Sequence, residues 1–141
     1  MKHLLAISLL IVFSSFQHTN KTYSLTVKVD NFDKEIGILE IGLYKDPEKF
    51  PHVGQTFKMV RIKVEKEEEI FTFVNLEPRE YAVCIFHDKN ANKVCDRNIL
   101  GIPTEGYGFS NNIRPRWSVP EFNECATHLN SDKVIRIRLI N

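Results

Sequence analysis

The stretch Tyr23-Ser24-Leu25-Thr26-Val27-Lys28-Val29 decides the fold class. Its apolar residues fall at every second position with polar ones between, which is the period of a strand with one face on a core and the other in water. The pattern recurs along the chain. Val60, Ile62 and Val64 alternate with Arg61, Lys63 and Glu65, and Val134 to Ile140 forms a closing strand with Arg136 and Arg138 facing outward. Gly37 to Tyr44 is a more continuously apolar run, Ile70 to Val74 and Tyr81 to His87 supply further strands, and Lys66 to Glu69 reads as a solvated turn. No long apolar period of 3.6 residues occurs. Helix is confined to a turn or two at Asp46 to Phe50, where Asp46 can cap and Pro47 start, and at Pro120 to Ala126. The expectation is an antiparallel, all-β domain of about seven strands with one long loop.

Between two of these strands, Leu76-Glu77-Pro78-Arg79-Glu80-Tyr81 has the Leu-x-Pro-x-x-Tyr spacing of a tyrosine corner. In that device a tyrosine at the start of a strand hydrogen-bonds backbone a few residues upstream, and it belongs to Greek-key β-sandwiches. A plain proline turn followed by an edge tyrosine is the alternative.

The 141 residues suit one domain, and 43% hydrophobic with 26% charged residues is the composition of an ordinary globular chain that needs neither metal nor disulfide to fold. A formal net charge of +1, with both signs interspersed, lacks the basic stripe that nucleic acid or an anionic membrane requires. Residues 1–16 stand apart: Lys2 and His3 precede an apolar run from Leu4 to Phe13, and Ser14, Ser15 and Phe16 lead into polar residues. That is the shape of a secretory signal peptide, too short for a permanent membrane anchor, so the mature chain is expected in the periplasm or outside the cell. Residues 17–22 read as a connector and 23–141 as the single sandwich domain, expected to be a monomer.

The richest segment is the one that leaves the Tyr81 strand. His87 and Asp88 end the strand, and a loop of Asn, Asp and Gly follows. Asp88, Asn90, Asn92 and Asp96 place side-chain oxygens at alternating positions with the Val94 carbonyl between, as a calcium loop does. Lys93 stands where such loops use Gly, and Ile99 where they use a bidentate Glu, so any calcium is expected to bind weakly, at about 10⁻⁴ to 10⁻³ M. The competing expectation is a chain of Asx-turns, in which the same side chains bond their own backbone and hold the loop without an ion.

The residues from Leu76 to Asp88, then Asp96, Gly101-Ile102-Pro103, Glu105-Gly106-Tyr107-Gly108-Phe109-Ser110-Asn111-Asn112, and finally Pro120, Phe122 and Ala126, resemble the family called domain of unknown function 2141. The resemblance implies small exported bacterial proteins with a transthyretin-like or carboxypeptidase-regulatory-like sandwich, and it implies no activity. The family pattern has Gly where Arg79 stands and Asn-Gly where Asn92-Lys93 stands.

His87 with Glu105 is the one acid-base set that could serve a small hydrolase. Adjacent strand residues point to opposite faces, so His87 and Asp88 are not expected to form a dyad. No nucleophile elbow, zinc-protease motif, phosphate loop or dinucleotide fingerprint is present. A non-catalytic binding or interaction module, for a protein, peptide or carbohydrate, is the leading expectation, and a purely structural domain the alternative. Tyr107, Phe109 and Trp117, with His87 and Glu105, are the candidate ligand platform at one end of the sandwich; they could equally fold back to cap the core. Arg114 and Arg116, flanking Pro115, are candidates for an anionic ligand. Of the cysteines, Cys84 is expected inside a strand, while Cys95 and Cys125 lie outside the strands and are the candidate pair if a disulfide forms.

Overall fold

The computed structural model describes residues 21–101, 103–116 and 118–141. The expected signal peptide, most of the connector and Trp117 lie outside the described residues. Among the described residues eight strands form two facing sheets. They are β1 (Tyr23–Asp30), β2 (Ile38–Tyr44), β3 (Lys58–Lys63), β4 (Glu68–Leu76), β5 (Arg79–Asp88), β6 (Tyr107–Phe109), β7 (Thr127–Leu129) and β8 (Lys133–Arg138). The fold is an all-β sandwich. One sheet runs β4-β1-β8; the other runs β3-β2-β5, with β6 and β7 sharing the outer edge of β5. Strand β4 returns to lie beside β1 after the β2–β3 hairpin in the opposite sheet, as a Greek key requires. The sheets are not purely antiparallel: β8 runs parallel to β1, from Leu25 opposite Lys133 to Asp30 opposite Arg138.

The alternation read in the sequence is the alternation seen. Leu25, Val27 and Val29 are fully buried, while Ser24, Thr26 and Lys28 lie only partly covered on the other face. The core between the sheets joins these to Leu39, Ile41 and Leu43 of β2, Val83 and Ile85 of β5, Phe73 of β4 and Ile137 of β8. Full burial of each such side chain contributes about 1.5–3 kcal/mol. Strand β2 is buried almost throughout because it is central and covered on both faces.

A second, smaller core explains why. Tyr44, Phe50, Ala82, Phe109, Phe122 and Cys125 pack on the outer face of β5. Phe50 sits in the middle, edge-on to Tyr44 at 5.2 Å, to Phe122 at 6.0 Å and to Phe109 at 6.1 Å between ring centroids. The two expected helical turns are the pieces that bring these aromatics in. A 3₁₀ turn at Pro47–Lys49 leads into Phe50, although Asp46 pairs with Lys49 at 3.2 Å instead of capping through its side chain. The short helix α1 (Phe122–Cys125) is closed by a capping box between Glu121 and Glu124.

All three cysteines are free, so the Cys95–Cys125 pair is not formed. Its members belong to different regions: Cys125 is sealed in the second core with Cys84 packed against it, whereas Cys95 is in the long loop. Burial pushes the Cys84 and Cys125 thiols up to about 12, which keeps both neutral at physiological pH.

The tyrosine corner is present. Tyr81 is 1% exposed, stacks with Phe57, and donates its hydroxyl hydrogen to the Glu77 carbonyl at 3.2 Å. Burial of the ring raises the phenol's pKa. Because Glu77 is exposed, its carbonyl can recover water once the hydroxyl is removed, so Tyr81→Phe is expected to destabilise by about 1 kcal/mol. Overlaying urea melts of the variant and the parent would show that the hydroxyl does not hold the corner.

Candidate functional site

The end of β5 separates His87 from Asp88 as strand geometry demands. His87 faces inward and is fully buried; its Nε2 lies 2.6 Å from the Ile36 carbonyl and its ring meets Phe32 edge-on at 5.1 Å. A carbonyl only accepts, so Nε2 carries the proton, and Nδ1 is left buried without a partner. Asp88 faces the loop, 2% exposed, with one carboxylate oxygen accepting the Asn92 N–H at 3.0 Å and the other the Lys93 N–H at 2.8 Å. Glu105, 6% exposed, accepts the Lys89 N–H at 2.8 Å and the Asp96 N–H at 3.4 Å. His87 and Glu105 thus spend their bonds on separate stretches of backbone, and neither is presented to solvent as an acid or base.

The oxygens expected to converge on calcium are turned toward N–H groups. Asn90 Oδ1 accepts the Asn92 N–H at 3.0 Å, and Asn92 Oδ1 accepts the Val94 N–H at 2.8 Å, each an Asx-turn. The Asn90 and Asn92 amides both donate to the Asp96 carboxylate, at 2.8 Å and 3.0 Å. Among the described residues no group of three or more His, Cys, Asp or Glu side chains is placed to hold a metal ion. Lys93 has φ 66°, the left-handed conformation that a Gly adopts without steric cost, and Ala91 has φ 58°.

The base built by Asp88, Asp96 and Glu105 supports a feature that the sequence reading passed over. The Thr104 N–H bonds the Asp96 carbonyl at 2.8 Å, Arg97 bridges Pro103, and the Gly101 N–H bonds the Asn98 carbonyl at 2.9 Å. Asn98 also accepts the Leu100 N–H through its side chain, at 2.9 Å. The result is a small hairpin finger closed by a β-turn from Asn98 to Gly101. Its two central residues are Ile99, 102% exposed, and Leu100, 77% exposed. An adjacent Ile-Leu pair inside a loop of Asn, Asp, Gly and Pro is the signal in the sequence that points to it.

The aromatic platform is not assembled by the residues described. His87, Glu105 and Phe109 are buried and Tyr107 is half-buried; Phe109 caps the second core, and Trp117 lies outside the described residues. The segment that follows Phe109 is instead a clamp of three consecutive side chains. Ser110 is fully buried, with its hydroxyl accepting the Val83 N–H at 2.9 Å and within bonding distance of the Cys125 carbonyl. Asn111 donates to the carbonyls of Glu124 and Ala126 at 3.0 and 3.1 Å. Asn112 takes the outer edge of β8, donating to the Arg136 carbonyl at 3.0 Å and accepting the Arg138 N–H at 2.8 Å, as a neighbouring strand would. Both asparagines hold positive φ, 61° and 54°, which this residue type tolerates better than most.

A family model described as "Uncharacterized protein conserved in bacteria (DUF2141)" matches residues 27–137, a span that contains the long loop, the finger and the clamp. No curated protein and no solved structure matches the chain.

Within that span the clamp has a measurable weight. Ser110→Ala leaves the Val83 N–H buried without an acceptor, and the expected loss is about 1–3 kcal/mol in chemical unfolding. A variant as stable as the parent would mean that β5 closes its edge without Ser110.

Proposed function

The chain belongs to the uncharacterised bacterial family whose model it matches, and from that premise we propose that it is an exported, non-catalytic interaction module that engages a protein partner through the hairpin finger. The observation that carries the reading is the pairing of a fully exposed Ile99 and a largely exposed Leu100 on a turn whose base, where the Thr104 N–H bonds the Asp96 carbonyl, is tied to the buried Glu105 through the Asp96 N–H. Such a finger keeps its shape before contact, so little ordering opposes binding. Burying the two side chains contributes roughly 3–6 kcal/mol at most, about 1.5–3 for each. That is too little to hold a protein on a lipid surface, where even one acyl chain binds only marginally, but ample as the anchor of a larger protein contact. Export is supported by the charged start, short apolar run and polar exit of residues 1–16.

The loop is proposed to keep this shape without calcium. What supports that choice is the use of the Asp88, Asn90 and Asn92 oxygens as acceptors for backbone N–H groups, which an ion would have to displace. Melting temperatures with millimolar calcium and with chelator are therefore expected to coincide. A calcium-dependent rise that disappears in Asp88→Ala would establish the ion site on Asp88, Asn90, Asn92, the Val94 carbonyl and Asp96 instead.

The finger is tested by placing a photo-reactive residue at position 99 of the full chain in the native cell, with position 53, where Val53 is 89% exposed, as the control. A discrete adduct at 99 and none at 53, lost on Leu100→Asp and recovered from an exported form lacking residues 1–16, is expected. Equal adducts at both positions, or lipid as the species attached, would overturn the reading. Leu100→Asp should leave stability within about 0.5 kcal/mol, since an exposed turn residue has little packing to lose.

A further inference from the structure

A second feature, independent of the finger, lies on the side of the sandwich where β8 and β6 end their sheets. There a cleft of about 230 Å³ opens, with Phe109, Ile113 and Ile140 among its lining residues and the guanidinium-bearing Arg114, Arg136 and Arg138 around it. We propose that this cleft binds a small organic carboxylate, its charge held by Arg114 and Arg138 and its apolar body laid against Phe109, Ile113 and Ile140.

The three arginines are not equivalent. Arg136 is committed: it bridges Asp30 at 2.6 Å and Glu68 at 2.5 Å, so its charge is matched by two carboxylates from neighbouring strands. That pairing also balances the charge of Asp30, the acidic residue in the cleft lining, through its Oδ2, while its Oδ1 is buried without a hydrogen-bond partner. Arg138 spends its side chain on a single neutral acceptor, Asn31 Oδ1 at 3.1 Å. Arg114 makes no hydrogen bond or ion pair with any described residue, although it lines the same cleft. Two guanidinium groups therefore meet at one opening with most of their N–H donors unused, in a protein whose net charge is only +1. A planar carboxylate matches the guanidinium fork in two parallel bonds.

Size and lining narrow the ligand further. Drug-sized ligands occupy pockets of roughly 300–1,000 Å³, so a cleft below that range takes a body of a few carbons. An inorganic anion would leave the apolar wall uncovered, and an uncharged hydrocarbon would leave the arginines unused. The wall is also fixed in advance. Asn112 ties the segment that carries Ile113 and Arg114 to β8 through the Arg136 carbonyl and the Arg138 N–H, so both sides of the cleft keep their spacing.

The test is a calorimetric and NMR titration of the purified chain with hexanoate, acetate, hexylammonium and inorganic phosphate as probes. Hexanoate is expected to saturate, to shift Ile113 and Ile140, and to bind at least about tenfold more tightly than acetate; hexylammonium should not bind. Arg114→Gln and Arg138→Gln should each weaken hexanoate by about tenfold or more, the size expected for one charge-assisted contact. Arg116→Gln, an exposed arginine outside the lining, should change it less than twofold. Arg114 has no partner to lose, so its variant tests the site without threatening the fold. Phosphate binding tighter than hexanoate, hexanoate shifts mapping away from the cleft, or Arg114→Gln binding as the parent does would each overturn the proposal.

Discussion

Strand β5 is buried on both faces and must have its outer edge hydrogen-bonded along its length, and much of the structure follows from how that is achieved. No single strand does it. The β6 strand reaches only from Cys84 to Phe86, and β7 only from Arg79 to Tyr81. At the junction the Val83 N–H would be orphaned in the interior, a cost of about 1–3 kcal/mol without water to replace the partner. The Ser110 hydroxyl fills that gap, and Asn111 and Asn112 bind the neighbouring α1–β7 segment and β8. One tripeptide thereby joins the two strand fragments of one sheet to the edge of the other. The glycines just before it serve the same closeness: a Cβ on Gly108 would sit 2.9 Å from Ile137, so only glycine lets β6 approach β8.

The long strands were legible in the sequence because a period of two is unmistakable over six or more residues, as in Tyr23 to Val29. The tyrosine corner was legible because Leu76, Pro78 and Tyr81 carry a mechanism at fixed spacing. Strands β6 and β7 were not, since each has three residues and is strand only because β5 offers an edge. The parallel pairing of β8 with β1 was hidden for the same kind of reason: alternation gives the face of a strand but not its neighbour or direction. The second core was half visible, in that an almost wholly apolar Tyr81 to Phe86 requires cover on both faces.

The candidate site was harder to read because acceptor oxygens are ambiguous. Asp88, Asn90, Asn92 and Asp96 have the composition of a cation loop and of an Asx-turn scaffold alike, and only the direction of each oxygen separates the two. Lys93, where a sharp calcium loop favours Gly, takes the left-handed conformation at φ 66°. The clamp was visible as a motif, yet Ser-Asn-Asn gives no sign from its letters that it bonds backbone on three separate elements.

A general consequence concerns where binding can reside in so small a sandwich. The buried polar side chains, His87, Asp88, Glu105 and Ser110, are those that a search for chemistry selects first, and their hydrogen bonds go to backbone. Removing any of them exposes an unsatisfied group before it alters a ligand, so they are poor material for changing specificity. The groups with bonding or burial still to gain are others: Ile99 and Leu100 at the finger, Arg114 at the cleft. These residues have little packing of their own to lose, so they can vary without disturbing the core. Binding in such a domain is therefore expected to reside in side chains that the fold does not need, carried on turns that it holds rigid.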